Sequence, residues 1–152
     1  MKYVLNNRNQ RGFTLLESLI SLVVLSIGML GIAALYVEGL RAGRTALFRS
    51  TAVTLAADMM DRVRANPAAR AAYAGGPALN NCVNQNNDCT PLEMAQQDIQ
   101  IWENEIAARM PPGSASNVQF VPGLIVDTYT ITVSWPEPGF PAPLTYTLSA
   151  RL

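Results

Sequence analysis

From Leu19 to Val37 the chain is apolar or small at every position, relieved only by Ser21, Ser26, Gly28, Gly31 and Tyr36. About 20 such residues are what an α-helix needs to cross the roughly 30 Å hydrocarbon layer of a membrane. The run is preceded by Arg11-Gly12-Phe13-Thr14-Leu15-Leu16-Glu17, and from Phe13 to Val37 the single charge is Glu17. That acid is expensive: a carboxylate at the centre of a membrane helix costs about 2.5–3.5 kcal/mol on insertion scales, so it marks a functional-site hypothesis. The alternative reading is that Glu17 lies near the end of the run and reaches the headgroups. The spacing leaves both open.

The basic residues do not orient this segment. Lys2, Arg8 and Arg11 precede it, and Arg41, Arg44 and Arg49 follow it. Cysteine usage does more. Cys82 and Cys89 are the two cysteines of the 152-residue chain, seven apart in an Asn-rich stretch. An even count at close spacing in an exported chain favours a disulfide over free thiols, and so puts the C-terminal part outside the cytoplasm. The loop it closes is small, so its stabilisation is modest. Structural zinc wants four ligands, and the chain has no His.

A secretory signal peptide is the rival for the N-terminus, with Gly31-Ile32-Ala33 as a small-x-small cleavage site and Ala34 as the new end. Glu17 within the apolar region, and a helical pattern that continues past Ala33, argue against it.

Beyond the membrane segment, Gly39 and Gly43 mark a junction, and no Gly or Pro occurs between Arg44 and Asn66. Val53, Ala56, Met60 and Val63 repeat at helical spacing as an apolar stripe. Asp58–Arg62 and Asp61–Arg64 are i,i+4 and i,i+3 pairs on the wet side. Pro67 disfavours helical geometry at Asn66, so one helix is predicted from about Phe13 to Asn66, on the order of 80 Å long at 1.5 Å per residue. Gly28 and Gly31 each weaken it by about 1 kcal/mol relative to Ala. The stretch from Pro67 to Asp88 is rich in Ala, Gly and Asn, with a turn at Gly75-Gly76-Pro77. Asn84, Asn86 and Asp88 alternate like calcium ligands, but the Gly and distal Glu of a full EF-hand loop are missing. Thr90-Pro91-Leu92-Glu93 then reads as a capping box with Pro in the first turn. Leu92, Ala95, Ile99, Trp102 and Ile106 make its apolar face, and Pro111-Pro112-Gly113 ends it.

The last third alternates with period two. Tyr129, Ile131, Val133 and Trp135 interleave with Thr and Ser, as do Tyr146, Leu148, Ala150 and Leu152. A Pro-rich connection from Pro136 to Pro143 joins them as an antiparallel pair, and Val118 to Val121 adds a third strand. One face of this sheet covers the second half of the long helix. The predicted class is therefore α+β: a long N-terminal helix packed against a small antiparallel C-terminal sheet, with a second short helix.

Composition narrows the function. Without residues 1–12 the chain keeps eight Arg against eleven acids, a side-chain charge of −3. That balance argues against nucleic acid as a partner, since such binding rests on phosphate neutralisation. Lack of His removes a Ser-His-Asp triad, and neither a Gly-rich phosphate loop nor a metal cluster is present in the sequence. The expectation is a structural subunit, not an enzyme, with no catalytic residue, cofactor or metal.

Gly12-Phe13-Thr14-Leu15-Leu16-Glu17, with its basic leader and apolar sequel, resembles the cleavage and methylation motif of type IV prepilins and of type II secretion pseudopilins. The resemblance implies a pilin-like fold and cleavage between Gly12 and Phe13 by a prepilin peptidase, which also methylates the new Phe13 amine. It implies too that Glu17 pairs with the N-terminal amine of a neighbouring subunit, the kind of partner a buried carboxylate requires. The helix-breaking Pro often found further along in this family is not present in Ile32-Ala33-Ala34-Leu35. The segment from Ala56 to Pro67, with Asp98-Ile99-Gln100-Ile101-Trp102 and Ile131-Thr132-Val133-Ser134-Trp135, is similar to PilV-type minor pilins, the type IV pilus modification proteins.

That similarity implies a minor pilin that primes pilus assembly and enters the filament or its tip, with twitching motility and adhesion downstream. Its implied partners are other minor pilins, the major pilin, the prepilin peptidase, the inner-membrane assembly platform and the lipid bilayer. The expected organisation is a leader at 1–12, a membrane or filament-core helix at 13–38 and a periplasmic globular domain at 39–152. A type II secretion pseudopilin is the alternative within this class. A secreted periplasmic binding domain that loses its signal at Ala33 is the alternative outside it.

Overall fold

A computed structural model describes residues 12–83 and 88–152. The basic leader residues Lys2, Arg8 and Arg11, and Asn84 and Asn86 of the calcium-like alternation, lie outside the described residues. The architecture is α+β, as expected: helix α1 (Leu15–Ala65), a 3-10 helix (Arg70–Ala74), helix α2 (Pro91–Arg109) and strands β1 (Ala115–Val121), β2 (Thr128–Trp135) and β3 (Leu144–Arg151). The chain divides between Gly43 and Arg44 into two compact units.

In the first unit every described residue is exposed. Its helix starts where the sequence allows. Thr14 Oγ1 accepts from the Glu17 amide at 3.3 Å and Ser18 N donates to Thr14 O at 3.2 Å, so one free amide of the first turn is capped.

The second unit holds the core. The residues of α1 beyond Arg44 contribute Ala52, Leu55, Ala56, Met59, Met60 and Val63, all 0–2% exposed. Full burial of a Leu or Met side chain stabilises by about 1.5–3 kcal/mol. The expected stripe was one position out of phase at its start. Val53 is exposed, and the neighbouring row Ala52, Leu55 and Met59 is buried instead.

Helix α2 begins with the capping box read from sequence. Thr90 Oγ1 accepts from Glu93 N at 3.3 Å and Glu93 Oε2 accepts from Thr90 N at 2.8 Å. The Thr90 amide, and then the Thr90 hydroxyl, which donates to the same oxygen at 2.8 Å, hold the Glu93 carboxyl below its usual range. Ala95, Ile99, Trp102 and Ile106 face the core, whereas Leu92 is exposed because it sits in the first turn, beyond the edge of the packed face. Trp102 Nε1 donates to Leu55 O at 2.8 Å and ties α2 to α1.

The sheet has the order β1-β2-β3 and is antiparallel throughout. Val118 pairs with Ile131, and Ile131 with Leu148. In the central strand Tyr129, Ile131, Val133 and Trp135 are buried, which is the period-two pattern of a strand with one covered face. Leu144, Tyr146, Leu148 and Ala150 on β3 are half-buried against the same core. Phe120 and Tyr129 are cross-strand partners with ring centroids 5.1 Å apart, a tilted pair of the kind that adds to area burial.

Two features escaped the sequence reading. The Ala-rich stretch after Pro67 forms the 3-10 helix, whose Tyr73 is 1% exposed. Gln97 is buried on α2, where its Oε1 accepts from Asn80 N at 2.7 Å and Asn81 N at 2.9 Å. It thereby anchors the segment leading to the Cys82–Cys89 disulfide, which has a Cα–Cα distance of 5.7 Å.

Candidate functional site

Three of the residues singled out by the sequence lie at the start of α1. Gly12 and Phe13 precede α1, and Glu17 lies in its first turn. The spacing Thr14-x-x-Glu17 puts the carboxylate at the third helical position, where the free amides and the helix dipole favour negative charge. Phe13 is 79% exposed and the whole first turn is open. Cleavage at Gly12 would therefore release an amine beside an acid at the N-terminal end of one helix. Cys82 and Cys89 are remote in sequence and serve a different purpose, closing a loop in the globular unit.

Behind Glu17 the helix carries a window of mean hydropathy 2.4, none of it buried within the chain. Large side chains such as Leu25, Ile27, Leu30 and Ile32 stand 56–72% exposed. That is far more contiguous apolar surface than a soluble monomer tolerates, so lipid or other helices must cover it. The two serines in the run are already satisfied. Ser21 Oγ donates to Glu17 O at 2.8 Å and Ser26 Oγ to Leu22 O at 2.7 Å.

The polar face of α1 near its C-terminus was read as solvated, and this needs correction for Arg62. Its side chain, 22% exposed, donates to Asp58 at 2.9 Å and Asp98 at 3.2 Å and approaches Glu105 at 3.6 Å. Tyr73 Oη donates to Asp98 at 2.7 Å and is also 3.0 Å from Arg62 O. Burial and the bond to Asp98 push the Tyr73 hydroxyl far above its usual range. Arg62 is thus the hub joining α1, α2 and the 3-10 helix, while Asp61–Arg64 remains an exposed pair. The Asp58–Arg62 spacing was visible in sequence; Asp98, thirty-six positions away, was not.

A second pinned element lies between β1 and β2. Asp127, 8% exposed, accepts from Arg70 Nε at 2.9 Å and Nη2 at 2.6 Å, and from Gly123 N at 3.2 Å. Its main chain exchanges two 2.9 Å bonds with Leu152. The Arg70 guanidinium, then the Gly123 amide, hold the Asp127 carboxyl below its usual range. Arg70 itself has φ 41°, a left-handed conformation unusual for a side-chain-bearing residue, which these bonds offset. A Cβ on Gly123 would meet Val126 O at 1.9 Å, so the turn closes too tightly for any other residue. It presents Leu124 and Ile125 at 107% and 96% exposure.

Residues 7–33 match the prokaryotic N-terminal methylation motif, and residues 34–100 match the family described as type IV pilin Tt1218. The chain is similar to type IV pilins over residues 7–100. The two adjoining matches support a pilin subunit, a structural component rather than a catalyst, without choosing the PilV subgroup. No curated protein and no solved structure matches. The apolar helix and the motif together fit anchoring in the inner membrane followed by entry into a pilus.

Proposed function

We infer that the protein is a minor pilin of the PilV type that helps to prime type IV pilus assembly. The observation that carries this reading is the pairing of a wholly uncovered apolar stretch of α1 with one acid in its first turn. In the membrane, lipid covers the helix and Glu17 sits near the headgroups. In the filament, neighbouring helices replace the lipid, and Glu17 meets the methylated amine of Phe13 from an adjacent subunit. A carboxylate and an ammonium withdrawn from water satisfy one another, and either left alone would cost several kcal/mol. Glu17 therefore selects for correctly processed, correctly staggered neighbours.

The globular unit, whose disulfide supports a periplasmic position, would contact other minor pilins and the major pilin. The prepilin peptidase and the inner-membrane assembly platform act on the first unit. The Ala56 to Pro67 segment supports the PilV reading over a secretion pseudopilin. N-terminal sequencing and intact mass of the protein from its native membrane test the processing step. The expected result is a chain beginning at methylated Phe13; one beginning at Ala34 lacks Glu17 and removes the filament mechanism. Deletion that abolishes piliation but spares secretion is expected for the pilus assignment.

A further inference from the structure

We propose that the globular unit binds a small, neutral, mostly apolar molecule carrying a hydrogen-bond acceptor, in the cavity where the end of α1 meets the start of β2, with the Tyr129 hydroxyl as the donor. The cavity has a volume of about 330 Å³, within the range of sites that take small ligands. Its apolar walls come from separate parts of the chain. Val63 lies in the last turn of α1, Pro67 follows that helix, Tyr129 is in β2 and Leu152 follows β3. Most of this lining is hydrocarbon, which favours a guest by the apolar area removed from water.

One polar group in the lining is free to bind. Tyr129 is 4% exposed, and its ring is fixed against Phe120 at a centroid distance of 5.1 Å. Its hydroxyl makes no hydrogen bond among the described residues, and it is not sealed in as Trp135 Nε1 and Glu137 Oε2 are. The other buried tyrosine differs: the Tyr73 hydroxyl is held by Asp98 and lies 3.0 Å from Arg62 O. A hydroxyl withdrawn from water without a partner is unfavourable, and a bound acceptor removes that cost. Burial, and then the Asp127 carboxylate, push the Tyr129 hydroxyl above its usual range. It therefore keeps its proton well beyond neutral pH and is offered as a donor.

The ionic groups around the cavity select against a charged guest because they are committed to one another. Arg70 binds Asp127 at 2.6 Å, and Arg64 binds Asp61 at 3.0 Å. The remaining Asp127 oxygen accepts from Gly123 N at 3.2 Å. An ion entering here would have to break one of these pairs to gain a counter-charge, and would lose its hydration against Val63 and Pro67. A neutral guest meets no such penalty and is oriented by a single hydrogen bond. Its contacts with α1, β2 and Leu152 would tie those segments together and stabilise the folded unit by mass action.

Titration of the full chain in detergent micelles, followed by the amide signals of Val63, Arg70 and Leu152, tests this. The probes are acetophenone, ethylbenzene, which has the ring without the acceptor, and benzoate, which carries a charge. Acetophenone and ethylbenzene are expected to give saturable shifts and benzoate none. Tyr129→Phe keeps the ring and removes only the hydroxyl. It is expected to weaken acetophenone about two- to tenfold, the worth of one hydrogen bond, and to leave ethylbenzene as tight as before. Each comparison uses one probe in one detergent, so partition into the micelle cancels. Leu152→Trp, which fills the cavity from its 42% exposed side, is expected to abolish binding of both. Amide dispersion like that of the unsubstituted chain shows that a variant is folded. No saturable shift with acetophenone, an undiminished affinity for it in Tyr129→Phe or Leu152→Trp, an equal loss for ethylbenzene in Tyr129→Phe, or saturable binding of benzoate overturns the proposal. The cavity lies wholly in the globular unit, so its failure leaves the processing of Gly12–Phe13 unaffected.

Discussion

The two units of this chain solve the problem of apolar surface in opposite ways. Between Arg44 and Leu152, Leu55, Met59, Trp102, Ile131 and Val133 are at most 1% exposed, and α1, α2 and the sheet cover one another. Before Gly43 the chain is richer in large aliphatic residues and, among the described residues, covers none of them. The first arrangement is a complete fold. The second is half of an interface, whose other half must come from lipid or from neighbours. The same residue type therefore means stability in one unit and association in the other.

The largest effect expected to sharpen this contrast comes from Trp102→Ala, which deletes a buried ring and its bond to Leu55 O. It should lower the unfolding free energy of the globular unit by about 3–5 kcal/mol in urea titrations. Leu25→Ala, at a 56% exposed position, should leave that free energy within about 0.5 kcal/mol and change only membrane partition or assembly. Equal shifts for the two variants would break the comparison.

Gly123→Ala should cost about 1–3 kcal/mol, since its Cβ forces the Val126 carbonyl to move; the same substitution at Gly28, where nothing lies within 4 Å, should not destabilise at all. A smaller loss, about 1 kcal/mol, is expected when Thr90→Ala removes the cap of α2. Thermal denaturation of the three variants side by side ranks them.

The smallest effect depends on pH. Asp127 is depressed in the folded state by Arg70 and the Gly123 amide. Its contribution is thus complete above the usual carboxylate range near 4 and declines as pH falls through the lowered folded value, because the unfolded chain takes up its proton first. The acid limb of the stability profile should flatten in Asp127→Asn. An unchanged limb would remove Asp127 from the account.

Local chemistry was legible in the sequence and long-range pairing was not. The capping box at Thr90 and Glu93 and the alternation of β2 involve neighbours within four positions, so residue types alone state them. The membrane run and Glu17 were legible because they are anomalies of composition. The phase of α1 was fixed only approximately: eight apolar positions crowd the stretch from Ala52 to Val63, and the sheet and α2 decide that Val53, not Leu55, is left outside. Gln97 was missed and Arg62 misjudged for the same reason, since their partners at Asn80–Asn81 and Asp98 come from other elements. The exposed Leu124–Ile125 turn could have been suspected from two aliphatic residues following Pro122-Gly123, a turn signal.

One small feature of α1 sets the terms on which the helix can change surroundings. Ser21 and Ser26 spend their hydroxyl protons on carbonyls one turn back in their own helix. Neither needs a donor or acceptor from outside, so neither registers whether lipid chains or protein side chains lie against it. Moving the segment between the two environments then makes and breaks no serine hydrogen bond. The balance is left to van der Waals packing, to the Tyr36 hydroxyl and to the single carboxylate at Glu17, which makes the segment nearly indifferent to its solvent between its first turn and Tyr36.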